Sequence, residues 1–156
     1  MNDFHVIAHG EAFDVDAFLA TTTLRPDFVW RRGDQRRSAC FESKHETSGI
    51  EFDLGDGLSI SLWEQEHIAI AWLQEHRDEL RALGQFPGAR VFILSLQYAF
   101  ELDPGTIGFW VDPCPPLMRH CLDIGIHLTY HVRLDRRSEW GIEDAEPDAT
   151  ADSPCD

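Results

Sequence analysis

The segment Ile126 to Leu134 constrains the fold most. Ile126, Leu128, Tyr130, Val132 and Leu134 alternate strictly with His127, Thr129, His131, Arg133 and Asp135. Alternation of period two makes a strand with one buried and one wet face. A sheet built from such strands needs helices to cover its apolar side. The best helical pattern is Trp63 to Leu83, where Ile68, Ala69, Trp72, Leu73, Leu80 and Leu83 recur at three- and four-residue spacing. Ser61 and Glu64 have the spacing of a capping box, and Gly84 suits the position after the helix.

The other elements fit the same plan. Phe4 to His9 alternates as a strand, and Asp14 caps a short helix that Leu24-Arg25-Pro26 brings to an end. Phe28 to Arg31, Ala39 to Ser43 and Gly49 to Leu54 read as strands. Gly55-Asp56-Gly57 reads as a turn into another strand, Leu58 to Leu62. Ala89 to Leu102 is a long strand, Asp103-Pro104-Gly105 a turn, and Thr106 to Val111 the returning arm of a hairpin. Asp112 then caps a helix over Pro113 to Ile124, which Gly125 ends. The expected fold is α+β: a mostly antiparallel twisted sheet with about three helices packed on it and a βα-repeat-like plan. It forms one domain over residues 1–137, followed by an acidic tail, expected to be disordered, over 138–156.

Charge narrows the function. The net charge is −15. Seven acids and no Lys or Arg fall between Glu139 and Asp156, and the remainder still holds 21 acids against 13 basic residues. Nucleic-acid binding draws on Lys and Arg to neutralise phosphates, so this balance argues against it. A basic protein partner suits it, because opposite charges speed encounter. No apolar run approaches the roughly 20 residues of a membrane span, and no secretory signal opens the chain. The expected location is cytoplasmic, where Cys40, Cys114, Cys121 and Cys155 would stay as thiols.

No motif for chemistry stands out. His127 and His131 share a strand face, but residues four apart on a strand are about 13 Å distant, too far to share one metal. No zinc-like spacing occurs, and neither a metal nor a cofactor is expected. Cys114 precedes a helix, and a helix N-terminus can activate a thiol. The plainer reading is an unreactive thiol beside the helix start. One cluster runs against the acidic trend: Arg25, Arg31, Arg32, Arg36 and Arg37, interleaved with Phe28 and Trp30. Arg and Trp dominate binding hot spots, which makes Arg25, Trp30, Arg31, Arg32, Arg36 and Arg37 the candidate partner-binding residues. A solvated hairpin, paired with the acidic tail, is the plain alternative.

Four stretches carry a resemblance. They are Phe13-Asp14-Val15-Asp16 before the short helix; Leu24-Arg25-Pro26-Asp27 through Val29-Trp30-Arg31-Arg32-Gly33-Asp34; the helix begun near Trp63; and the closing Leu122-Asp123-Ile124-Gly125-Ile126-His127-Leu128-Thr129-Tyr130. Together they resemble the uncharacterised bacterial family catalogued as domain of unknown function 4279, over roughly Phe4 to Arg133. Pro26-Asp27 departs from that family's usual Pro followed by Ser or Thr. The family has no established catalytic residues, so the resemblance implies none here. Some of its members look like immunity proteins encoded beside bacterial toxins. The function expected is therefore a non-catalytic protein-binding domain, in its specific form a toxin-neutralising immunity protein. The alternative is a small hydrolase-like enzyme using Cys114 or a His/carboxylate cluster. A module that only self-associates is a third possibility, and the oligomeric state is open.

Overall fold

A computed structural model describes residues 4–36, 43–101, 112 and 114–135, with the backbone alone for 98–101 and 133–135. The elements are β1 (Phe4–Gly10), α1 (Val15–Leu19), β2 (Phe28–Trp30), β3 (Ser48–Gly55), α2 (Leu62–Glu75), α3 (Arg77–Gly84), β4 (Val91–Glu101), α4 (Pro115–Ile124) and β5 (His127–Asp135). The strands form one open sheet in the order β2-β3-β1-β4-β5. Three neighbour pairs are antiparallel, and β4–β5 is parallel. The parallel pair follows from α4, which lies between β4 and β5 in the chain and carries it back to the starting end.

The alternation of β1 sets the core. Phe4, Val6 and Ala8 are fully buried, with Ile50 and Phe52 of β3 and Leu94 and Leu96 of β4 on the same side. Ala69, Leu73, Leu80, Leu83, Leu117, Cys121 and Ile124 meet them from the helices. Each fully buried Leu or Phe contributes about 1.5–3 kcal/mol. Phe13, Phe18 and Phe86 close one end, with ring centroids 5.3 to 6.0 Å apart. Arg77 and Arg81 of α3 pair with Asp123 of α4, and these guanidinium groups hold the Asp123 carboxyl below its ordinary range.

The caps follow local chemistry. Asp14 Oδ1 accepts from Ala17 N–H at 3.0 Å, and the Ser61/Glu64 capping box is complete. Gly125 ends α4 with φ 83°, a left-handed conformation that glycine adopts without steric cost.

Several expectations are corrected. Leu58 to Leu62 is not a strand. Asp56 accepts from Leu58 N–H and Ser59 Oγ–H, folding the chain into a turn that delivers Ser61 as a cap. The helix expected over Trp63 to Leu83 divides at His76 (φ −105°, ψ 15°), whose ring packs edge-on to Trp72. Leu80 N–H bonds His76 O at 2.9 Å, so the hydrogen bonding resumes at once. Gly84 is the last residue of α3, and Gln85 is its cap. Cys114, not Asp112, caps α4, because prolines 115 and 116 occupy the first turn, where no N–H is needed. The arm expected over Thr106 to Val111, most of Ala39 to Ser43 and the acidic tail lie outside the described residues.

Candidate functional site

The face of the sheet opposite the helices holds the candidate site. Register places Trp30 beside Gly49, and Gly49 beside His9. With no side chain at Gly49, the indole of Trp30 lies across it: a Cβ there would sit 2.1 Å from Trp30 Cζ2. An aromatic side chain covering a cross-strand glycine is a known sheet device. Trp30 is 7% exposed yet lies outside the helix-side core. His45 stacks on it, with centroids 5.4 Å apart and planes 28° apart.

Antiparallel pairing of residues 33–36 with 43–45 brings His45 there. Gly33 N–H donates to His45 O and His45 N–H to Asp34 O, each at 2.8 Å, and Gln35 bridges to Lys44. Asp34 tightens the turn by accepting from Arg31 N–H at 2.7 Å. The result is a cleft of about 250 Å³, lined by Asp27 through Trp30, Asp34, Gln35 and His45.

The structure separates the candidate arginines. Arg31 forms a two-point pair with Asp16 of α1, at 2.9 and 2.5 Å, and holds that carboxyl below its ordinary range. Arg25 donates to Leu24 O and is exposed, as are Arg32 and Arg36. Arg37 lies outside the described residues. Trp30 forms the cleft wall, its indole Nε1–H buried without a hydrogen-bond partner among the described residues. The charged groups lining the cleft are therefore the carboxylates of Asp27 and Asp34, while exposed arginines stand on the same segment. Asp27, Asp34 and His45 were not among the residues singled out by sequence. Nothing local marks His45 as the residue that stacks on Trp30.

His9 shares this face. Its Nδ1 is buried without a partner among the described residues, and burial lowers its pKa below the ordinary 6.5. The unfolded chain then binds the proton more readily than the folded one. This contribution is present above pH 6.5 and is lost as pH falls toward the lowered folded value. Between pH 7.5 and 5 the urea midpoint is expected to drop, and His9→Gln should shrink that drop. An equal drop in both proteins would exclude His9 as a source.

Several polar side chains outside the cleft have partners of their own. Glu66 is buried, and its Oε1 accepts from Tyr130 Oη–H at 3.1 Å and Cys114 N–H at 3.3 Å, joining α2, β5 and the start of α4. Burial, then the Glu66 charge, pushes the Tyr130 hydroxyl pKa well up. Burial pushes the Cys121 thiol up to about 11. His131 Nε2 lies 3.3 Å from Ser95 Oγ, and His120 Nε2 lies 3.0 Å from Gln74 Nε2. Among the described residues no three His, Cys, Asp or Glu side chains gather in a way that could hold a metal. No helix among them is long and apolar enough to cross a membrane.

Fold and site together define an α+β domain with a one-sided helical layer and a polar, tryptophan-walled cleft on the sheet's other face. The chain matches no family model, no curated protein and no solved structure.

Proposed function

We propose that this chain is a non-catalytic protein-binding domain, and specifically a cytoplasmic immunity protein that binds and neutralises a bacterial toxin. The observation that carries the reading is the cleft at Trp30. It combines a buried aromatic wall, two carboxylates and exposed Arg25, Arg32 and Arg36 on the same segment. Well-packed tryptophan and arginine at the centre of a patch is the usual make-up of a binding hot spot. A net charge of −15 favours encounter with a basic partner. The Val29-Trp30-Arg31-Arg32-Gly33-Asp34 stretch, which supplies Val29, Trp30 and Asp34 to the cleft, also carries the resemblance to domain of unknown function 4279. That resemblance is what points to a toxin.

The test is a pull-down against the product of the adjacent gene, with a co-expression rescue. The chain is expected to co-purify with that product and protect cells from it. Arg32→Ala with Arg36→Ala should weaken the complex about tenfold or more, since hot-spot arginines bind through their packed, hydrogen-bonding guanidinium groups and not through net charge. If no complex forms and no rescue occurs, the immunity reading fails.

A further inference from the structure

The sheet ends at β5, at the opposite edge from the Trp30 cleft. Nine residues, His127–Asp135, pair with β4 on one side, and among the described residues no strand pairs with β5 on the other. A long edge strand is a template for another strand unless something covers it.

The helix above this edge is apolar on its outer flank. His120 and Asp123 of α4 turn toward Gln74, Arg77 and Arg81 on α2 and α3, while Leu117, Cys121 and Ile124 are buried. Met118 and Leu122 occupy the remaining flank, 42% and 79% exposed. The ring of Trp72 packs on Phe52 of β3, so α2 lies over the middle of the sheet. The Met118 and Leu122 flank of α4 therefore faces away from α2 and α3.

The strand is also complementary to itself. Antiparallel pairing of two β5 strands about a twofold axis at His131 sets His127 opposite the second copy's Asp135, and Leu128 opposite the second copy's Leu134. Thr129 then meets the second copy's Arg133, and Tyr130 meets the second copy's Val132. Apolar residues oppose apolar ones at alternate positions, and His opposes Asp at both ends; such cross-strand pairs stabilise a sheet. A twofold interface requires this kind of self-complementarity.

From the edge left unpaired among the described residues, the exposed flank and the register, we infer that the β5 edge is a self-association surface. Two copies join β5 to β5 into one continuous sheet, with Met118 and Leu122 of each packed over the seam. The Trp30 cleft stays accessible at both far ends.

Sedimentation of the full chain at about 0.15 M salt, where repulsion beyond about 8 Å is screened, tests this. A species twice the 17.8 kDa chain mass is expected in the micromolar range. Leu122→Glu should raise the dimer dissociation constant about tenfold or more. His131→Cys should form a disulfide-linked dimer under mild oxidation, because the two Cα atoms on the axis lie about 4.5–5.5 Å apart. His127→Cys should not, since its mate lies about 26 Å away, and the native chain controls for its own thiols. A monomer throughout, a dimer without the residue-131 cross-link, or a dimer untouched by Leu122→Glu would each overturn the inference. None of these outcomes bears on toxin binding, which the pull-down reads separately.

Discussion

Replacing Gln65 by leucine is expected to lower the free energy of unfolding by about 4 kcal/mol, although the two side chains are close in size. The reason lies at the point where β1 runs out. Pairing of β1 with β4 spans His9↔Val91 to His5↔Ser95. Gln97 comes one pleat later, and the fully buried amide of Gln65 serves it as a strand would. Gln65 Nε2 donates to Gln97 O at 2.6 Å, and Gln65 Oε1 accepts from Gln97 N–H at 2.9 Å. The second hydrogen on Nε2 bonds Gly57 O at 2.7 Å, fixing the loop before α2. Leucine would satisfy none of these groups, and a buried polar group left unpaired costs about 1–3 kcal/mol. Three such groups, set against about 2 kcal/mol of added apolar burial, leave a net loss near 4 kcal/mol. Urea unfolding should show a lower midpoint with an unchanged denaturant slope. A loss under about 1 kcal/mol would mean the amide is replaceable by water.

The second large effect is expected at Gly49. Gly49→Ala places a methyl 2.1 to 2.7 Å from Trp30 Cζ2, Cε2 and Cη2, so the indole must leave its seat. Overpacking of this kind costs about 1–3 kcal/mol, and exposure of the tryptophan adds to it. His45 loses its stacking partner, and the cleft loses its wall. The near-UV circular dichroism of Trp30 should weaken, and the complex sought above should weaken with it. Retained binding with a displaced Trp30 would remove the cleft from the interface while leaving the fold intact.

These two sites show where local pattern stops being informative. Gln65 sits in the first turn of α2, outside the apolar positions that mark the helix in the sequence. Its role exists only because Gly57 and Gln97 are brought to the same spot from residues 8 and 32 positions away. Trp30 and its arginines read as a positive binding patch. In the fold Arg31 turns to Asp16, fifteen residues earlier, and Asp27 and Asp34 line the cleft instead. A local segment carries no signal for which of its charges a distant helix will neutralise. The Leu58 to Leu62 error has a different cause: an apolar run suggested a strand, but the Asp56 side chain competed successfully for the backbone.

Sequence by itself determined the class of fold, because period-two alternation in β1 and β5 and helical spacing between Trp63 and Leu83 each commit one apolar face. It also determined the Asp14 cap, the Ser61 capping box and the glycine stop at Gly125, all of which depend on neighbours within a few residues. Tertiary structure alone decided the strand order, the parallel β4–β5 pairing, the place of β5 at the end of that order and the seat of Trp30 over Gly49. Those depend on contacts between segments far apart in the chain, whose geometry is set by how the two-faced elements pack and not by the residues of any one of them.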